Sequence, residues 1–177
     1  MEDLIPSYIT NRQELNAAEQ QNILNAKLWA YGQRRNVLSE KFLKRLHKRM
    51  FQNVWRWAGH YRKTARNIGI EPYRVGMELN ALIENVTFWI ENKTYSFDEI
   101  AARFHHQLVL IHPFPNGNGR WSRLATDLLL VAHGCHVFTW GGRGNLTDVT
   151  ERRKRYIDAL RAADNHDIQP LLVFVRL

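Results

Sequence analysis

Ser96-Phe97-Asp98-Glu99-Ile100-Ala101-Ala102-Arg103-Phe104-His105-His106-Gln107-Leu108-Val109-Leu110-Ile111-His112-Pro113-Phe114-Pro115-Asn116-Gly117-Asn118-Gly119-Arg120-Trp121-Ser122-Arg123 reads as helix, break, helix. Ser96 with Glu99 is a capping box, so a helix starts at Phe97 and runs to about Leu110. Pro113, Pro115, Gly117 and Gly119 exclude regular structure in the next segment. A strongly apolar helix then continues to Gly134.

Helical signals also dominate on both sides of this unit. Thr10 or Asn11 caps a first helix, with Glu14 reaching back, and that helix is expected to run to about Arg35. Ser39 opens a second, with Phe42, Leu46, Met50, Val54 and Trp57 at helical spacing and Gly59 as its stop. A third spans about Gly76 to Asn92, a later one starts near Thr147 and a last one near Ile168. Only Arg62–Val75 departs from this pattern. It is short, basic and closed by Gly69 and Pro72, which predicts a β-hairpin or extended flap over 61–75. The expected fold is all-α, a single domain over 1–177 with one small β-hairpin. Its parts are an N-terminal helix over 1–35, a core over 39–134 and C-terminal helices over 135–177.

The chain has 177 residues, one domain's worth. Apolar residues at 45% and charged residues at 24% exclude intrinsic disorder. One cysteine, Cys135, excludes an internal disulfide and a cysteine metal cluster. No stretch approaches the roughly 20 apolar residues that cross a bilayer, and the N-terminus lacks a secretory pattern. A soluble chain in a reducing cytoplasm is expected. The net charge of +8 favours nucleotides, nucleic acid or acidic partners. Nine Lys or Arg and no acid lie between Lys41 and Arg66, which makes a solvated helix face or a phosphate-binding surface.

The break itself can do chemistry. Gly117 and Gly119 can take positive φ, and Asn118 tolerates the left-handed region, so their N–H groups can form an anion nest. The following helix adds its N-terminal N–H groups and dipole. Arg120 and Arg123 share one face there. Two guanidiniums and a helix N-terminus suit a polyphosphate. His112, just before the nest, can take a proton from an attacking hydroxyl. Phe114 anchors the loop in the core.

His112-Pro-Phe-Pro-Asn-Gly-Asn-Gly-Arg-Trp-Ser-Arg123 resembles the signature of the Fic family, His-x-Phe-x-(Asp/Glu)-Gly-Asn-Gly-Arg-x-x-Arg, matching seven of its eight fixed positions. Val54 to Arg62 is similar to the segment before the Fic flap. The resemblance implies an all-α enzyme, of small bacterial type, that moves AMP from ATP to a Ser, Thr or Tyr hydroxyl of a target protein. His112 would then be the base. Phe114, Gly117, Asn118, Gly119, Arg120 and Arg123 would form the nucleotide site, and Arg66, Asn67, Ile68 and Gly69 the target-docking flap. The family's metal-binding acid is Asn116 here, which implies weak Mg²⁺ binding. The resemblance also points to an inhibitory helix, (Ser/Thr)-x-x-x-Glu-(Gly/Asn), whose Glu pairs with the signature's second arginine. Thr10 to Glu14 matches its first five positions and Leu15 departs, and Thr147 to Glu151 is a lesser match. An antitoxin or other regulatory partner is a further expectation. The alternatives are a non-catalytic nucleotide or nucleic-acid binder, with nucleic acid the lesser partner, and a Fic-type phosphotransferase toxin.

Other clusters carry less. His105 and His106 point to different helix faces, one packed and one exposed. His133 and His136 beside Cys135 lack a further paired ligand for zinc. Trp55, Trp57 and Trp121 belong to the core.

Overall fold

A computed structural model describes residues 3–32, 36–142, 146 and 150–177. The expected helix end at Arg35 and the Thr147 positions lie outside these. The elements are α1 (Arg12–Tyr31), α2 (Glu40–Phe51), α3 (Val75–Glu91), α4 (Phe97–Ile111), α5 (Asn118–Ala132), α6 (Glu151–Asp164) and α7 (Gln169–Val175). One turn of 3-10 helix, Pro72–Arg74, leads into α3.

The caps follow the sequence. Asn11 Oδ1 accepts the Glu14 N–H at 2.9 Å while the Glu14 carboxylate accepts the Thr10 N–H at 2.7 Å. Ser39 and Ser96 cap α2 and α4, and Thr150 caps α6. Helix α2 stops at Phe51, earlier than the spacing predicts. Residues 52–59 turn instead, because Val54 and Arg56 pair with the N-terminal segment: Ile5 N–H donates to Val54 O, and Arg56 N–H to Asp3 O, both at 2.9 Å.

Helices α4 and α5 form the central hairpin, with α2 and α3 packed on one side and α6 and α7 on the other. Leu43, Leu46 and Met50 of α2, Leu79 and Val86 of α3, Phe104 and Leu108 of α4, and Trp121 and Leu129 of α5 are buried in one core. The Trp121 indole N–H donates to Leu43 O at 2.9 Å and pins α5 to α2. A second cluster joins Ala101 and Ala102 of α4 and Leu130 of α5 to Tyr156, Leu171 and Phe174.

The all-α class holds, but the hairpin over 61–75 does not form. Among the described residues the one sheet-like pairing is an isolated antiparallel bridge between Leu4 and Trp55. The physical reason is Arg62. Its buried guanidinium donates to Thr64 O and Ile70 O, across the loop from one another. It takes the carbonyls that cross-strand amides would have used. The loop is exposed from Lys63 to Gly69 and bends at Thr64 and again from Asn67.

A buried and an exposed leucine of α4 make a direct test of this packing. Leu108 is fully buried, and Leu110 is 40% exposed. Leu108→Ala is expected to cost about 2–5 kcal/mol, as buried leucine truncations do. Leu110→Ala is expected to cost under ~1 kcal/mol. Urea unfolding of the two variants beside the parent checks the difference.

Candidate active site

The end of α4 delivers His112. Its backbone is left-handed, with φ 50° and ψ 60°, which turns the chain sharply out of the helix. Its Nδ1 lies 3.4 Å from Val109 O. A carbonyl can only accept, so Nδ1 carries the proton and Nε2 keeps its lone pair. Burial lowers the imidazole's pKa, opposed by the Val109 contact and reinforced by the charges of Arg62 and Arg66. The ring is therefore held neutral, as a base must be.

The loop after His112 is fixed from below. The Phe114 ring, fully buried, lies flat on His47 with centroids 3.6 Å apart and planes 7° apart. Its main chain is clamped by the Asn118 side chain, which accepts the Phe114 N–H at 2.9 Å and donates to Phe114 O at 2.8 Å. His47 is a residue that sequence reasoning missed. Its Nδ1 accepts the Gly59 N–H at 3.0 Å, so its Nε2–H donates to Asn116 O at 3.0 Å. Burial pushes its pKa down to about 3, so both roles are stable at neutral pH. The available signal was a histidine in the apolar stripe of α2, between Leu43 and Met50.

The nest differs from expectation. Gly117 alone of residues 116–120 has positive φ, at 79°. It needs to be glycine twice over, since a Cβ there would sit 2.4 Å from the Phe51 ring. Asn118 and Gly119 already belong to the first turn of α5. The anion donors are thus the unpaired N–H groups of a helix N-terminus rather than a run of left-handed residues. Phe114 and the Asn118 side chain are buried and bonded to one another within the loop.

Both arginines reach this end of α5, and both are held. Arg120 Nη1 lies 2.6 Å from Glu19 Oε2, and its guanidinium covers the Phe51 ring. Glu19 is buried and also accepts the Trp55 indole N–H at 2.7 Å. The Arg123 guanidinium carbon lies 5.9 Å from the centroid of the Tyr156 ring, and its Nη1 lies 3.6 Å from where a Gly119 Cβ would stand. The Tyr156 hydroxyl in turn lies 2.9 Å from His105 Nε2.

Two expectations are corrected here. Glu14 does not meet Arg123; its carboxylate stays in its capping box and is exposed. Glu19, five residues on, is the α1 carboxylate on the signature, and it takes the first arginine. His105 and His106 are both buried, His105 on Tyr156 and His106 on Asp164 at 2.7 Å. Neither Glu19 nor Tyr156 carries a local sequence signal.

Of the flap residues, Gly69 is brought against His112: a Cβ on it would stand 2.7 Å from His112 Cβ. Ile68 is 61% exposed. Asn116 bonds to its own loop. Its Oδ1 accepts the Gly117 N–H at 2.7 Å. Among the described residues no group of three His, Cys, Asp or Glu is placed to hold a metal. No described helix is long and apolar enough to cross a membrane.

The sequence model of the Fic/DOC family matches residues 37–130. Protein adenylyltransferase Fic of Culex quinquefasciatus is 30% identical over 145 residues, 79% of this chain and 27% of that protein. Its namesake in Aedes aegypti is 30% identical over 120 residues, 66% of this chain and 22% of that one. The chain thus spans about a quarter of these relatives' length. A Caenorhabditis elegans Fic-1 structure superposes with a TM-score of 0.72 at 24% identity, covering 98% of this chain and 50% of that one. BepC of Bartonella tribocorum, solved with bound AMPPNP, gives 0.70 at 21%, covering 95% and 87%. A Bartonella quintana Fic domain with bound ADP gives 0.70 at 18%, covering 96% and 86%. With the signature, the fold and a family match over more than half its length, the chain belongs to the Fic/DOC family.

Proposed function

We propose that this chain transfers AMP from ATP to a Ser, Thr or Tyr hydroxyl of a protein. One observation carries the reading. A neutral imidazole, with Nδ1–H spent on Val109 and Nε2 free, immediately precedes a helix N-terminus flanked by two guanidiniums. The relatives named protein adenylyltransferases and the nucleotide-bound neighbours support it.

In the proposed step the target hydroxyl oxygen attacks the α-phosphorus. The bond from that phosphorus to the bridging oxygen of the β-phosphate breaks, and pyrophosphate leaves. The hydroxyl proton goes to His112 Nε2. The N–H groups of Asn118, Gly119 and Arg120, with Arg120 and Arg123, hold the phosphate charge as it develops. A divalent ion would come in with the nucleotide, its anionic ligands being phosphate oxygens. The exposed segment Arg66, Asn67, Ile68 and Gly69 beside His112 would dock the target's backbone in an extended form.

The same geometry supports a brake, moved from Glu14 to Glu19. Arg120 already carries a buried carboxylate, so a triphosphate must displace Glu19 to gain that arginine. Helix α1 therefore competes with the nucleotide for one cation.

ATP labelled at the α or the γ phosphorus, incubated with the purified chain, tests the transfer. Label is expected from α only, and label from γ would identify a phosphotransferase instead. His112→Ala is expected to lower the rate at least ~10²-fold, the usual worth of a general base, with ATP affinity within about three-fold. Transfer surviving that change would remove His112 from the role. A neutral base is lost as pH falls through its pKa. Because that pKa is lowered, the acid limb of the rate profile is expected below the ordinary imidazole value of about 6.5. Glu19→Gln is expected to raise transfer about ten-fold, equivalent to ~1.4 kcal/mol of removed competition. Glu14→Gln is expected to leave the rate unchanged, as its carboxylate touches only the cap.

A further inference from the structure

We infer that Arg62 is a positioning residue for the reaction, locking the catalytic end of α4 and the target-facing loop into one unit. The inference rests on the transfer reading above.

Arg62 is 3% exposed. Its backbone N–H donates to Pro113 O at 2.9 Å. Its Nε donates to His112 O at 2.6 Å, and its Nη2 to Ile111 O at 3.4 Å. One residue thus takes three successive carbonyls, 111 to 113, where α4 ends. Helix C-termini leave such carbonyls without partners and favour a cation, so the site suits a guanidinium. The same side chain reaches the other way. Its Nη1 donates to Thr64 O at 3.1 Å and its Nη2 to Ile70 O. The two carbonyls bracket the flap segment 66–69.

Three consequences join here. His112 sits at φ 50°, a conformation unfavourable for a histidine that persists only when its surroundings impose it. Arg62 supplies that constraint through the His112 carbonyl. Gly69 closes the assembly: with φ 105°, a Cβ on it would stand 2.7 Å from both Arg62 Nη2 and His112 Cβ. Base, clamp and flap therefore meet at one point. A lysine cannot replace this clamp, because one ammonium lacks the flat fork that reaches carbonyls on opposite sides. Arg62 and Arg66 are the charges felt by His112, with Glu71 acting in turn on Arg62. Loss of the Arg62 charge should therefore let the imidazole protonate more readily.

Arg62→Lys and Arg62→Gln in the full chain test this through three readouts. In α-labelled transfer, both variants are expected to lower kcat at least ten-fold with KM for ATP within two-fold, since the α5 cradle is untouched. Backbone amides of residues 64–70 are expected to exchange with solvent at least ten-fold faster in both. The His112 titration midpoint, followed by NMR, is expected to rise with Gln and to stay near the parent value with Lys. A kcat loss with unchanged flap exchange overturns the inference, as does a KM rise matching the kcat loss. If Arg62→Gln does not fold, Arg62→Lys alone decides through kcat, KM and exchange. If the parent transfers no AMP, the transfer reading fails, while exchange and titration still decide whether Arg62 couples flap and base.

Discussion

The flat stack of Phe114 on His47 is the contact on which the site's geometry rests. The loop from Pro113 to Gly117 must leave one helix, hold its polar backbone near solvent and enter another helix within a few residues. A loop of that length has little to hold it unless something reaches into the core. Phe114 does so, with its centroid 3.6 Å from His47 and its edge toward Trp121. The imidazole beneath is uncharged and has both nitrogens committed, one to Gly59 and one to Asn116. The stack therefore supplies packing and orientation together. It joins α2, the turn at Gly59 and the N-terminal end of α5. Asn118 repeats the logic, closing both polar groups of the Phe114 main chain with one amide.

On this rigid floor the charged groups compete. The N-terminus of α5 and its arginines create a local excess of positive charge. Carboxylates and phosphates are alternative answers to it, and Glu19 provides one from within the chain. Its second bond, to the Trp55 indole, fixes the carboxylate to a segment that also pairs with Leu4. Helix α1 is thus tied through Trp55 to the N-terminal segment. Arg123 is placed differently, over the Tyr156 ring. Tyr156 belongs to the second cluster of buried side chains and also meets His105, so α6 has a direct hand in the placement of Arg123.

The legibility of the sequence varied with the range of the interactions involved. Caps at Asn11, Ser39 and Ser96 were readable because their donors lie three residues away. The helix–break–helix over 97–134 and the role of Phe114 as an anchor were readable for the same reason. The end of α2 was misread because Val54 and Trp57 continue the apolar spacing while Asp3 and Ile5, some fifty residues earlier, claim the backbone. The flap was read as a hairpin because a short basic segment ending at Gly69 looks like one. The carbonyls of that segment go instead to a buried arginine. Local pattern points to Glu14, with Glu151 the lesser match, and the same pattern explains the contacts Glu14 makes, a capping box complete in itself.

The sequence by itself determined the all-α class and the family signature from His112 to Arg123. These follow from spacing along the chain, where periodicity, glycine and proline act within a few residues. Only the tertiary structure decided which carboxylate meets Arg120, what holds Arg123, why His47 is neutral and what the flap is tied to. Each of those is a contact between residues many positions apart, 101 between Glu19 and Arg120, for example. Such contacts depend on how α1, α2 and α6 pack around the α4–α5 hairpin, and local spacing carries no record of that.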